Sequence, residues 1–170
     1  LISIVRYGNV VASRGSVIPY FLKFKNKGYF PITDKRMTRF NITLEEGVSF
    51  VNNCLKQMSG DEIFIPKLKS YKVVDLAKAI NKNSQLKIIG MKKGEKIHEK
   101  LISDDYSNKT IELKDKYIIL PNSSEKDFNF YFRKLKNKEK KICPPGFSYV
   151  SNNNKFLSLR DIKNIINQIK

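Results

Sequence analysis

The sequence predicts a mixed α/β fold in which strands and helices alternate along the chain. Three observations carry this. Residues 2–11 form an apolar, β-branched run with the continuous hydrophobicity of a strand buried on both faces. Thr43-Leu44-Glu45-Glu46 and Ser158-Leu159-Arg160-Asp161 carry capping-box spacing ahead of amphipathic runs, which marks helix starts. Short strand and helix signals interleave between them, and 170 residues leave little room for a complete parallel sheet.

The elements follow in order. The opening run reads as a buried parallel strand ending near Val11. Ser13-Arg14-Gly15-Ser16 breaks it and opens a short helix, where Pro19 is tolerated because first-turn amides lack intrahelical partners. Gly28 closes that helix, and extended pieces follow at 29–33 and 38–42. A helix is predicted over 44–58, with Leu44, Val48, Val51, Leu55 and Met58 on the face expected to meet the core. A strand at 62–66 precedes a second helix with Val73, Leu76, Ala77 and Ile80 on one face, and 86–90 is a further strand. Residues 94–102 are expected to be helical and 109–120 extended, whereas 122–141 is polar and poorly patterned. Leu159, Ile162, Ile166 and Ile169 mark a closing helix.

Composition narrows the class. Hydrophobic residues make up 41% of the chain and mean hydropathy is −0.42, the balance of a soluble globular protein. No run approaches the roughly 18 apolar residues that span a bilayer. Leu1-Ile2-Ser3-Ile4 has no signal-peptide pattern and no initiator Met, so the chain is expected to begin inside a longer polypeptide and to be cytoplasmic. Cys54 and Cys143 lack metal-type spacing and read as reduced thiols, and a single histidine, His98, excludes a multi-His metal site. The net charge is +17, but only six of the 33 basic residues are Arg. Base and phosphate readers favour the planar fork of Arg, so the Lys excess reads as compositional bias and no nucleic-acid partner is expected. The run Arg133 to Lys141 is read as a solvated surface segment.

A diphosphate ligand needs backbone donors and positive charge. Asn9 after the first strand, the Gly15-Ser16-Val17 helix start, Arg39 and the Lys92-Lys93-Gly94-Glu95 turn form such a group, with Glu95 able to accept from ribose hydroxyls. The same residues also fit a turn-forming Asn and a solvated loop. The eight glycines form no G-x-G-x-x-G pattern, and no tyrosine has Lys four positions on. No general base, nucleophile or metal site stands out.

A set of segments in fixed order carries a resemblance. Arg6-Tyr7-Gly8-Asn9-Val10-Val11, Ser13 to Pro19, Pro31-Ile32-Thr33-Asp34 and Met37-Thr38-Arg39-Phe40 come first. Glu62 to Lys67, Asp75 to Ala79, Gly94-Glu95-Lys96-Ile97-His98-Glu99 and Gly146-Phe147-Ser148-Tyr149 follow. Together they resemble the inverting UDP-N-acetylglucosamine 4,6-dehydratases, the polysaccharide-biosynthesis group of the extended short-chain dehydrogenase/reductases. The resemblance implies an α/β fold made of the last Rossmann-type strand plus a small mixed α/β substrate lobe. It implies residues 1–15 as the end of an NADP-binding domain and 16–170 as the nucleotide-sugar lobe.

The complete enzyme implied would use NADP to oxidise the sugar at C4. It would then lose water across C5 and C6 and return the hydride to C6 with inversion at C5. The product would serve pseudaminic acid or surface-polysaccharide synthesis. A UDP-sugar 4-epimerase of the same family and a non-catalytic UDP-sugar-binding module are the alternatives. The resemblance assigns Asn9, Val17, Thr33, Arg39, Lys92 and Glu95 to UDP-N-acetylglucosamine, and sets Tyr7 and Gly8 near the nicotinamide edge. Lys92-Lys93 replaces the usual Arg-Pro, which costs a bidentate fork. No catalytic residue falls in the chain, which is expected to be inactive alone, and the complete enzyme is expected to be a homo-oligomer.

Overall fold

The structure, a computed structural model, describes residues 1–136 and 139–169. It is mixed α/β, as predicted, and its strands pair both parallel and antiparallel. The chain separates into two compact units that interleave in sequence. One comprises 1–7, 45–67 and 100–149; the other comprises 8–44, 68–99 and 150–170.

The first departure from expectation is at the start. The run 2–11 is not one strand but two, β1 (Ile4–Val5) and β2 (Asn9–Val10), and they belong to different units. In chain order there follow α1 (Val17–Leu22), β3 (Tyr29–Ile32), β4 (Thr38–Ile42), α2 (Leu44–Leu55), β5 (Ile63–Pro66), β6 (Lys69–Lys72), α3 (Val73–Ile80) and β7 (Gln85–Ile88). Then come β8 (Lys100–Ile102), a short 3-10 helix (Asp104–Lys109), β9 (Thr110–Glu112), β10 (Lys116–Ile119), α4 (Glu125–Lys134), β11 (Lys141–Ile142) and α5 (Leu159–Gln168).

The first unit is built on a five-stranded sheet of order β1-β5-β10-β9-β11, parallel at β1·β5 and antiparallel elsewhere. Phe64, Ile111, Leu113 and Ile118 pack with Cys54 and Phe128, and Val5, Phe50, Met58 and Tyr131 flank them. The predicted inner face of α2 is therefore corrected. Leu44, Val48, Val51 and Leu55 are 39–65% exposed, whereas Gly47 and Cys54 are buried. The helix carries two apolar stripes. The one through Phe50, Cys54 and Met58 meets the sheet, with the small Gly47 on the buried side. A helix also forms at Glu125–Lys134, within the polar segment 122–141. Ser124 Oγ caps it by accepting from the Asp127 amide. The basic run from Arg133 is exposed or half-buried where described; Asn137 and Lys138 lie outside the described residues.

Cys54 and Cys143 are both buried and unpaired, and burial pushes their thiols up to about 11 and about 12. The thiolate is the reactive form. Folded protein at neutral pH is accordingly expected to take up no iodoacetamide, and urea-unfolded protein two equivalents. Intact-mass spectrometry reads the difference.

The second unit combines the sheet β2-β4-β6, the parallel pair β3·β7 and helices α1, α3 and α5. Phe21, Phe30, Ile32, Met37, Leu76 and Ala77 form its core, with Ile162 from α5. Full burial of a side chain such as Phe30 or Ile32 contributes about 1.5–3 kcal/mol. The capping box predicted at Ser158 is present in both directions, Ser158 Oγ accepting from the Asp161 amide and Asp161 accepting from the Ser158 amide. Leu157 donates to the Ser70 carbonyl, and this fixes where α5 turns back towards α3.

The predicted helix at 94–102 does not form. Gly94 sits at φ +87°, the Lys96 and Ile97 carbonyls are bound by Arg39, and the segment ends in β8. These carbonyls are directed at β4 and not along a helix axis towards amides four residues on. No helix among the described residues is long and apolar enough to cross a membrane.

Candidate functional site

One cavity of about 400 Å³ lies within the second unit. Asn9, Val17, Thr33, Arg39, Lys92 and Glu95 all line it. Four stretches of backbone bring them there. Asn9 is fixed by parallel pairing of β2 with Asn41 of β4. Val17 opens α1, and Ser16 just before it has a buried Oγ with no hydrogen-bond partner among the described residues. Thr33 follows β3, where Arg36 forks onto Asp34 through Nε at 3.0 Å and Nη2 at 2.7 Å, pinning the turn. That hydrogen bonding from Arg36 holds the Asp34 carboxyl down to about 2.

Lys92 and Glu95 close a turn on themselves. The Lys92 amide donates to Glu95 Oε2 at 2.7 Å, and the Glu95 amide donates to the Lys92 carbonyl at 3.1 Å. The Asn9 side-chain carboxamide, the Thr33 hydroxyl and the Lys92 ammonium make no hydrogen bond or ion pair among the described residues. The lining thus has two cations, Arg39 and Lys92, one partly engaged carboxylate and several uncommitted polar groups, set among Tyr20, Phe21, Met37 and Ile89. That mixture suits a ligand with an anionic centre, hydroxyls and a flat apolar part.

Arg39 lines the cavity, but its guanidinium is turned to the protein. Nη1 donates to the Thr38 and Ile97 carbonyls at 2.7 and 3.0 Å, and Nη2 donates to the Lys96 carbonyl at 2.9 Å. Nε lies 3.7 Å from Glu99 Oε1. Burial holds the Glu99 carboxyl above its ordinary value against the opposing pull of the Phe40 amide, Arg39 and Lys96. Neither Tyr7 nor Gly8 lines the cavity. Tyr7 is exposed, and Gly8 lies against Phe40 so closely that a Cβ would stand 2.4 Å from the Phe40 Cβ.

Sequence reasoning passed over Tyr20, Met37 and Ile89. Tyr20 had a signal, since it follows Val17 by three positions on the same helical face. Among the described residues no group of three or more His, Cys, Asp or Glu side chains is placed to hold a metal ion.

The family model described as polysaccharide biosynthesis protein matches residues 1–121, a stretch containing all six cavity residues named above. The chain belongs to that family. Within it, a protein of Campylobacter jejuni subsp. jejuni serotype O:2 named UDP-N-acetylglucosamine 4,6-dehydratase (inverting) is 48% identical over 169 residues, covering 96% of this chain and 50% of that protein. The protein of the same name from serotype O:23/36 is 46% identical, covering 97% and 51%. A Rickettsia rickettsii protein named UDP-glucose 4-epimerase is 33% identical, covering 98% and 49%. The X-ray structure of Pen from Bacillus thuringiensis superposes with a TM-score of 0.78 at 31% identity, over 98% of this chain and 49% of that one. The chain thus spans about half the length of the curated relatives it matches.

Proposed function

We propose that this chain supplies the nucleotide-sugar-binding part of an inverting UDP-N-acetylglucosamine 4,6-dehydratase. The observation that carries the reading is the convergence on one cavity of six residues drawn from four separate segments. The Campylobacter relatives, at 48% and 46% identity, favour the dehydratase over the 4-epimerase, whose relative stands at 33%.

In this reading Lys92 lends a point charge to the diphosphate, and Val17 lines the same cavity. Glu95 keeps one carboxylate oxygen for the ribose diol. Asn9 and Thr33 supply neutral hydrogen bonds, and Tyr20 gives an aromatic face to the base. The whole enzyme would turn UDP-N-acetylglucosamine into a UDP-4-keto-6-deoxy amino sugar for pseudaminic acid or surface-polysaccharide synthesis. NADP, when bound, would take up and return the hydride. The residues of this chain do not fit a dinucleotide site, because Gly8 is accounted for by Phe40 and no Gly-rich loop is present. We place the cofactor and the proton-transfer groups in the part of the relatives' length that this chain does not span.

Calorimetric titration of the 170-residue chain with UDP tests the cavity assignment. Binding is expected, and Lys92→Ala and Glu95→Gln are each expected to weaken it by roughly tenfold, equivalent to about 1.4 kcal/mol. Neither should shift the melting temperature appreciably, since neither side chain is buried. A wild-type chain that binds no UDP sinks the proposal.

A further inference from the structure

We propose that Arg39 and Glu99 are positioning residues: they form a clasp that fixes the Lys92–Glu95 turn over the cavity, and so govern nucleotide affinity without gripping the ligand themselves. This inference rests on the cavity being the UDP site.

The turn is held from its ends. On one side the Ile89 amide donates to the Ile32 carbonyl at 2.9 Å, continuing the β3·β7 pairing. On the other, residues 96–99 lie along β4, joined mainly through side chains. Besides the Arg39 bonds to the Lys96 and Ile97 carbonyls, the Thr38 amide donates to the Ile97 carbonyl at 3.0 Å. Glu99 Oε2 accepts from the Phe40 amide at 2.9 Å, while its other oxygen faces Arg39. The Glu99 amide donates to Ser151 Oγ at 2.9 Å, and Thr38 Oγ1 stands 2.6 Å from that hydroxyl and 2.8 Å from His98 Nδ1.

Between these anchors, Gly90 and Gly94 both take positive φ, and residues 91–94 are exposed. A segment with two glycines and, among the described residues, only its own Lys92–Glu95 bonds keeps its place because its ends are tied. Untied, it must be ordered when ligand binds, and that lost conformational freedom is subtracted from the affinity. The same wiring explains why Arg is needed at 39. One guanidinium reaches three carbonyls and faces a carboxylate, which a single ammonium cannot do.

That difference supplies the test. Arg39→Lys keeps a positive charge at the cavity wall and removes the fork. If Arg39 served the ligand by charge alone, the variant would bind UDP nearly as well as wild type. The clasp predicts about tenfold weaker binding, together with faster hydrogen exchange at the Lys92 and Glu95 amides in the ligand-free chain. Glu99→Ala should do the same. Glu99→Gln keeps an oxygen for the Phe40 amide and should recover most of the protection and affinity, which a variant that merely unfolds would not. Unchanged exchange in both Arg39→Lys and Glu99→Ala overturns the clasp, whether or not UDP binds. Absence of UDP binding by wild type overturns the functional reading instead, and the exchange result then stands on its own.

Discussion

Glu62→Ala is expected to lower the free energy of unfolding by about 3 kcal/mol. Glu62 is 1% exposed, and its carboxylate accepts from two amides, the Ser3 hydroxyl and the Tyr131 hydroxyl. Ser59 donates its amide to Oε1 at 2.7 Å, Gly60 donates its amide to Oε2 at 2.8 Å, and the Ser3 hydroxyl donates to Oε2 at 2.5 Å. The carboxylate thus shapes the turn that leads into β5, where Asp61 is held at φ +67°. It also ties down the residue before β1, beside the amide of Ile4 that donates to the Glu62 carbonyl.

Alanine leaves two amides and the Ser3 and Tyr131 hydroxyls without their acceptor, at about 1–3 kcal/mol for each group that stays buried. Exposed Ser59 can turn to water, which trims the total. For a chain of this size the melting temperature should fall by roughly 6–12 °C. Glu62→Gln keeps one carbonyl oxygen and should lose about half as much. Urea denaturation with an unchanged m-value is the measurement, and a loss below about 1 kcal/mol for alanine would contradict the account.

What was legible in the sequence was what is local. The box at Ser158–Asp161 closes within four residues, and the structure shows both of its bonds. The Ser124–Asp127 cap has the same spacing and went unread because the helix it opens is largely charged. The cavity residues were legible through a residue-by-residue likeness to a family, not through periodicity. What could not be read depends on partners far away in sequence. The α2 helix shows two apolar stripes, and only the sheet decides which is buried. Residues 94–102 have helix-compatible side chains, but Arg39, 57 and 58 positions away, takes the Lys96 and Ile97 carbonyls. The same distance concealed the role of Arg39. From sequence it was a cation near phosphates; in the structure its fork is spent on the backbone of the neighbouring segment.

Gly8→Ala is expected to destabilise the protein by about 2–3 kcal/mol, although it adds one methyl group. The added carbon would stand 2.4 Å from the Phe40 Cβ and 3.4 Å from the Phe40 Cα and carbonyl carbon. The first of these is far inside the roughly 3.5–4.0 Å at which carbons attract. Phe40 has no cheap retreat. It is fully buried in β4, its amide is bonded to Glu99, and the next residue, Asn41, pairs with Asn9. Relief must come from moving β2 away from β4, and β2 carries Asn9 into the cavity wall while β4 carries Arg39. UDP affinity should therefore fall along with stability.

Tyr7 makes the contrast. It is exposed, so Tyr7→Ala should change stability by no more than about 0.5 kcal/mol. A nicotinamide-facing role for the Tyr7-Gly8 pair predicts the reverse pattern, with both variants folding as wild type and the whole enzyme losing hydride transfer in each. Thermal melts of the two variants separate the readings. Wild-type stability in Gly8→Ala would show that Phe40 can yield, and would return the glycine to the cofactor side of the argument.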